Sequence, residues 1–293
     1  MIRFMKYRWV YFLISGLFLV PGIISLFFWG LKLGIDFTGG SLVEVEIESE
    51  KMVKEGEVEK LFSEKEVEVG SVQGTGDNGF IIKTKAIDRK LKDKVLFDME
   101  EKYGKVVEVR FETVGPVLGQ ELIKKTIWGV ILAAGFILLY VASQFKDKLF
   151  GICAILAMFH DTFILIGGWS ILGHFFQVEV DTLFVTAVLT ILSFSVHDTV
   201  VVYDRIRESQ KTGVKGSFEE LVDKGVNETL ARSLNNSMTI IFMLVALFLM
   251  GGASIRWFVL ALLIGTISGT YSSTFVAAPL LVSFDKMRKR GRK

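Results

Sequence analysis

Apolar residues in this chain collect into six long blocks, and the stretches between them are polar with shorter periods of their own. At 1.5 Å per helical residue, about 20 residues cross the roughly 30 Å of hydrocarbon in a bilayer. Blocks of that length fall at 9–30, 126–144, 149–172, 182–203, 236–254 and 256–283, and each predicts a membrane-spanning helix. The first block follows a basic flank, but it is too long for a signal-peptide core and has no small-residue cleavage site. It reads as an uncleaved span.

Residues 31–125 change character and predict an α+β domain between the first two spans. Leu42 to Ile47 alternates apolar residues with Glu44 and Glu46, the period of a half-buried strand; Val67 to Val72 and Phe80 to Thr84 predict two more. Gln73 to Gly79, rich in glycine, reads as their hairpin loop and lacks the spacing of a nucleotide-binding turn. Residues 51–64 predict a helix with Val58, Leu61 and Phe62 on its apolar side. Asp88 caps a second one, in which Leu91, Val95, Met99 and Tyr103 recur every four residues before Gly104. Val107, Val109, Phe111 and Thr113 are expected on one face of a last strand. The order strand, helix, strand, strand, helix, strand predicts a ferredoxin-like sheet with helices on one face. The domain begins at Gly34-Ile35-Asp36-Phe37-Thr38-Gly39-Gly40, where glycines permit tight turns and Asp36 and Thr38 can bond free backbone groups.

Two other patterns lie outside that domain. In the loop 204–235, Ser217-Phe218-Glu219-Glu220 has capping-box spacing, and Phe218, Leu221, Val222, Val226, Leu230 and Leu234 share one helical face. The loop predicts an amphipathic helix lying along the membrane interface. In the last span Ala261, Gly265, Gly269 and Ser272 form a small-residue stripe, with Gly265 and Gly269 in GxxxG spacing, which predicts close helix packing.

Composition agrees with a multi-pass membrane protein: 51% of residues are hydrophobic, and the net charge of +2 hides a strong segregation. Outside 31–125, Lys and Arg fall at Arg3, Lys6 and Arg8, at Lys146 and Lys148, from Arg205 to Arg232, and in the tail from Lys286 to Lys293, with Arg256 alone elsewhere. By the positive-inside rule both termini are cytosolic and 31–125 is external. The tail 284–293 reads as a topology anchor, with contact to ribosomal RNA or anionic lipid as the minority reading. The single cysteine, Cys153, excludes an intrachain disulfide and a thiolate zinc site, and sits where a small apolar residue would pack.

The candidate chemistry lies inside the spans. A carboxylate near the middle of a membrane helix costs about 3 kcal/mol on insertion scales, so each one needs a use or a partner. Two His-Asp pairs occur at that depth, His160-Asp161 and His197-Asp198. Thr186, Thr190, Ser193 and His197 share a stripe of the fourth span, a candidate polar access row, although threonines in such helices also bond their own carbonyls. Arg232, at the head of the fifth span, is the expected counter-charge of Asp198. Desolvation opposes the carboxylate anion and a nearby guanidinium favours it, so alternating their contact would take up and expel a proton. One charge crossing about 150 mV is worth roughly 3.5 kcal/mol, enough to bias a two-state equilibrium a few hundredfold. A static salt bridge is the competing reading. An aspartyl protease built on Asp161 and Asp198 lacks its usual sequence context. A metal site from His160, Asp161, His197 and Asp198 lacks chelating spacing. No catalytic centre, metal or cofactor is expected, and no nucleic-acid partner.

Gly34 to Gly40, His160-Asp161, Asp198 to Glu208, Asn227 to Leu234 and Ser272 to Leu280, taken in order, resemble the motif series of the SecF family of protein-export membrane proteins. One departure is His197, where the family pattern has Asn. The resemblance covers the whole chain. It implies a heterocomplex with SecD, its six-span homologue, that assists the SecYEG channel, with SecA and YajC as further candidate partners. It also implies contact with translocating polypeptide and membrane lipids, use of the proton motive force to promote late translocation and release, and location in the cytoplasmic membrane. Asp36, Phe37 and the glycines Gly34, Gly39 and Gly40 match the family motif at the start of the external domain. Asp198 and Arg232 align with its proton-pathway pair, leaving His197, His160 and Asp161 as secondary candidates. A proton-coupled half-transporter for lipids or small molecules and a structural assembly factor stay open as alternatives.

Overall fold

Among its described residues, the computed structural model has six helices long and apolar enough to cross a membrane, together with a four-stranded antiparallel sheet. The structure describes residues 2–49, 52–76, 78–145, 147–212 and 216–290; Lys51 and Asp77 of the predicted helix and hairpin, Lys146, Lys215 and the last three tail residues lie outside them. The chain divides into two units, Met1–Lys32 with Gly129–Lys293, and Leu33–Trp128.

The smaller unit holds α2 (Ile35–Thr38), β1 (Gly40–Ile47), α3 (Glu55–Ser63), β2 (Val69–Gly74), β3 (Gly79–Thr84), α4 (Arg89–Tyr103) and β4 (Val106–Val114). The strand order is β2-β3-β1-β4, every neighbour antiparallel. Val43, Val45, Phe80 and Ile82 from the sheet meet Val58, Leu61 and Phe62 of α3 and Val95 and Met99 of α4 in one core. Asp88 caps α4 as the sequence predicts, accepting from Leu91 N at 2.8 Å, and Gly104 ends it at φ 100°. The expected single face of β4 does not form. A bulge between Glu44 and Val45 of β1 shifts the register so that Val45 pairs with Glu108, leaving Val109 out of the ladder; Val109 is 51% exposed while Phe111 packs on the core. The glycines at the domain start are needed for space. Gly39 and Gly40 have φ 76° and 148°, and a Cβ on either would fall 2.9 Å from Pro116 Cα or 2.7 Å from Thr84 O.

The larger unit contains a 3-10 turn (Phe4–Tyr7) running into α1 (Arg8–Phe28), then the second half of α5 (Pro116–Gln144), α6 (Lys148–Phe176), α7 (Thr182–Lys211), α8 (Phe218–Met250), α9 (Ala253–Ser272), a π-helical turn (Ser273–Ala277) and α10 (Ala278–Arg290). The last three are one continuous span. α1 crosses α6 where Gly22 and Gly167 face each other: a Cβ on Gly167 would sit 2.7 Å from Gly22 Cα. Two serines lock the same crossing, Ser25 donating to Ser170 at 2.8 Å and Ser170 to Gly30 O at 2.6 Å. α9 lies against α7 through its small stripe, where a Cβ on Gly265 would fall 2.3 Å from Ile191 and one on Gly269 3.2 Å from Phe194. Cys153 is buried and free.

The loop 204–235 is not a separate interfacial helix. α7 continues to Lys211, and α8 starts at the Ser217–Glu220 capping box and runs unbroken for 33 residues. Its first half stands against the bundle because its buried side is narrow: Gly225 comes so close to α7 that a Cβ would meet Ile206 Cγ1 at 2.6 Å, with Val222 and Val226 fully buried beside it. The N-terminal segment is tied to this same stretch. Met5 N donates to Asp223 at 2.9 Å, and the Asn227 side chain takes Ile2 N at 3.0 Å and gives to Ile2 O at 2.7 Å.

Candidate functional site

Two carboxylates lie in the centre of the helix bundle, Asp161 on α6 at 1% exposure and Asp198 on α7 at 6%. The packing that puts them there comes from the small residues of α9, which let α7 approach closely, and from serines that occupy the inward side of three helices. Asp161 Oδ1 accepts from Ser268 Oγ at 2.6 Å and lies 3.0 Å from His160 Nδ1; Oδ2 accepts from Ser195 Oγ at 2.6 Å and from Ser272 Oγ. Asp198 accepts from Ser233 Oγ on both oxygens, at 2.9 and 2.8 Å, and from Ser273 Oγ on Oδ2 at 2.5 Å. Both carboxyl groups are thus hydrogen-bonded by serine hydroxyls in the interior, where an unmet polar group would cost about 1–3 kcal/mol.

Ser272 and Ser273 stand where α9 gives way to the π turn, and Pro279 follows with no N–H to offer the turn before it. Turns of this kind concentrate at functional sites, because the extra residue per turn re-aims side chains. Tyr203 of α7, fully buried, donates from its hydroxyl to Ala277 O at 2.8 Å and so fixes the end of the π turn to the helix that carries Asp198.

The predicted residues divide into two groups. His160, Asp161 and Asp198 are buried at the site. Arg232 is exposed, and among the described residues no ion pair joins it to Asp198; its neighbour Ser233 holds the carboxylate instead. Adjacent helical residues point about 100° apart, so α8 can present one of the two to Asp198 but not both. His197 is exposed for the same reason, one position from Asp198. The polar row Thr186, Thr190, Ser193 and His197 lies on the outer surface of α7 and does not reach either carboxylate. Thr186 and Thr190 bond the carbonyls of Thr182 and Thr186 at 2.9 and 2.8 Å. Arg232, Asn235, Asn236 and Thr239 make a second exposed polar row on α8. The glycine turn Gly34 to Gly40 belongs to the smaller unit, with Phe37 buried and Thr38 Oγ1 donating to Gly34 O at 3.1 Å.

Residues 94–287, which include both carboxylates and all five serines, match the family described as protein export membrane protein SecD/SecF, C-terminal, and residues 24–50 match the SecD/SecF GG motif. The chain is 41% identical to the protein translocase subunit SecF of Thermobaculum terrenum, over 97% of this chain and 94% of that protein. The chain belongs to the SecD/SecF family. The protein translocase subunit SecDF of Thermus thermophilus is 37% identical over 89% of this chain but only 35% of its own length. A crystal structure of SecDF from the same organism, described as a translocon-associated membrane protein, superposes with a TM-score of 0.86 at 32% identity, covering 97% of this chain and 39% of that one. Within the SecD/SecF family this chain therefore corresponds to one portion of the fused proteins and to nearly the whole of the separate SecF subunits.

The serines Ser195, Ser233, Ser268 and Ser273 were not among the residues singled out from sequence as chemistry. A signal for them exists: Ser268 and Ser272 are four apart on the stripe that already predicts helix contact, and Ser195 lies three before Asp198.

Proposed function

We infer that this chain is the SecF-type subunit of a protein translocase, and that proton exchange at its buried Asp198 drives a conformational change that assists export. The observation carrying this is the pair of hydroxyl-lined carboxylates at the centre of the bundle in a chain related over almost its full length to SecF subunits. Hydroxyls can accept as well as donate, so a cradle of serines serves both the anion and the protonated acid, whereas a fixed salt bridge serves the anion alone. A half-transporter for lipids or small molecules is not favoured by the relatives.

The polar rows of α7 and α8 support a heterocomplex. Lipid cannot satisfy an arginine, a histidine and two asparagines on helices of spanning length, so a protein surface is the economical cover. The SecDF relatives carry, in the part this chain lacks, a natural candidate for a SecD-type half. In that complex Arg232 and His197 face the partner. A rotation of α8 by about 100° exchanges Ser233 for Arg232 at Asp198, which is how we read the switch between proton-binding and proton-releasing states. Both termini are placed in the cytosol of a cell with its chain in the cytoplasmic membrane, on the distribution of Lys and Arg. The same distribution puts the segment 31–125 on the external side; its strand order and antiparallel pairing support a ferredoxin-like domain, and it is the moving, substrate-facing part. SecYEG, with SecA and YajC, completes the assembly.

The test is export of a secreted protein by vesicles holding this chain, the SecD-type partner and the channel, with an imposed proton gradient. Asp198→Asn and Arg232→Ala should each reduce export to the rate seen with the gradient collapsed. Unchanged gradient-driven export in both variants would overturn the reading.

A further inference from the structure

Ser272 and Ser273 are consecutive residues, yet the first donates to Asp161 and the second to Asp198. One peptide unit therefore carries a hydroxyl for each of two carboxylates on two different helices. Both hydroxyls also contact carbonyls of the preceding turn, Ser272 at Gly269 O (3.2 Å) and Ser273 at Thr270 O (3.2 Å). Their alternative partners are thus within the same helical turn. When a carboxylate takes up a proton it becomes a donor on one oxygen, and a hydroxyl that was giving to it must turn and accept. Such a turn at Ser273 alters the end of α9 and the π turn that Tyr203 pins, and Ser272 is the next residue on that end.

Asp161 is equipped to take part. It is more enclosed than Asp198, is held by three serines and His160, and among the described residues has no lysine or arginine bonded to it. The titratable groups facing the pair are few. α6 brings His160, whose Nδ1 points to Asp161 and whose Nε2 is buried without a partner among the described residues. α9 brings Tyr271, its ring 6.5 Å from that of His160 and its hydroxyl donating to Tyr11 O of α1 at 2.9 Å. α7 brings Tyr203, and α8 brings Ser233 with exposed Arg232 beside it. A carboxylate with neutral donors and one imidazole has no fixed charge holding it in a single protonation state.

We propose that Asp161 is a second proton-binding site of this protein, with His160 as its charge partner, and that Ser272 and Ser273 couple it to Asp198 so that the two carboxylates titrate as one unit. This rests on the reading of Asp198 as the proton-carrying group. In the assembled transporter a proton arriving at Asp198 changes the proton affinity of Asp161 through the α9 end, and the pair passes through more than two charge states per cycle. Ser272 and Ser273 are positioning residues in this scheme.

Infrared difference spectroscopy of the full-length chain in lipid nanodiscs, titrated with pH, tests it. The carboxyl bands are assigned by Asp161→Asn and Asp198→Asn. Asp198→Asn should move the midpoint of the Asp161 band by about one pH unit or more, the size at which two sites behave as a unit. In the background of Ser272→Ala with Ser273→Ala the same substitution should leave that midpoint in place, while Ser272→Thr with Ser273→Thr, which keeps both hydroxyls, should restore the shift. His160→Gln should move the Asp161 band by itself, which keeps the proposal open to refutation if a serine variant fails to fold. An Asp161 band that takes no proton, or one indifferent to Asp198→Asn, overturns the proposal. The vesicle export assay is separate. Loss of titration coupling with export still driven by the gradient removes only this inference; coupled titration with export indifferent to Asp198→Asn removes the functional reading and leaves the coupling.

Discussion

Substituting Gly167 by alanine tests whether the α1–α6 crossing is as close as backbone contact. The added Cβ would lie 2.7, 2.8 and 3.1 Å from Gly22 Cα, C and O, all backbone atoms that cannot rotate aside. Ordinary contact begins near 3.4 Å, so α1 must retreat by about 3.4 − 2.7 = 0.7 Å at that point. Overpacking of a well-fitted interface costs about 1–3 kcal/mol. If the retreat also breaks the Ser25–Ser170 and Ser170–Gly30 bonds, each adds about 0.6 kcal/mol, typical for interhelical bonds in membranes. The loss is therefore about 1–4 kcal/mol. Gly168, the next residue, is the control, since a Cβ there meets nothing within 4 Å. Alanine is the better helix former by up to about 1 kcal/mol, so Gly168→Ala should be neutral or stabilising. Gly22→Ala, whose nearest contact is 3.1 Å, should fall between them. Unfolding of the purified protein by rising SDS fraction, followed by circular dichroism and by tryptophan fluorescence, ranks the three. Gly167→Ala unfolding with the wild type, or Gly168→Ala falling as far as Gly167→Ala, would refute the packing argument.

Other consequences are open to simpler checks. Tyr203→Phe removes the hydroxyl that ties α7 to the π turn and leaves Ala277 O to repair its bonding within the helix; it should cost about 1–2 kcal/mol in the same unfolding assay and slow gradient-driven export. Ser217→Ala breaks the capping box of α8 and should cost about 1 kcal/mol, with faster amide exchange confined to the first turn at Phe218–Leu221. In the smaller unit, burial pulls the Lys92 ammonium down but hydrogen bonds to Asp93 and Glu108 outweigh it, holding the group above the usual lysine range. A raised folded value means that the stabilisation is complete below about pH 10.4 and is lost as pH climbs through the folded value. The thermal midpoint of the Leu33–Trp128 unit, read by NMR in the full chain, should fall on that alkaline side, and Lys92→Met should flatten the fall.

The strands and helices of the smaller unit were legible because water sits on one side of each. Leu42 to Ile47 could be placed from its glutamates, and α4 from Asp88, Gly104 and a four-residue apolar repeat; β2 begins two residues later than expected and takes Gln73 and Gly74 from the expected loop, and the failure at Val109 came from a bulge that simple alternation cannot express. The six spans were legible from length and apolarity alone. What the sequence concealed is which side of a membrane helix faces inward. Along α8 the apolar pattern puts Leu230 and Leu234 on one face with Val222 and Val226, yet Leu234 is 43% exposed while Thr229, Ser233 and Ser237 are buried. Continuing the buried pair Val222 and Val226 by steps of three or four reaches Thr229, Ser233 and Ser237, so the inward stripe is continuous in position while it changes from apolar to hydroxyl in kind. In the part of α8 that projects beyond the hydrocarbon the solvent is water and the apolar side turns in; once the solvent is lipid, leucine gains nothing by burial and the small polar residues take the interior. Charge pairing and packing point to different neighbours for Asp198. Opposite charge makes Arg232 the expected partner of Asp198, but in this conformation Gly225 packs against Ile206 and α8 aims Ser233 at the carboxylate and Arg232 outward. An arginine that points outward in this conformation needs a second surface there, and a partner half covering α7 and α8 would supply it until α8 turns.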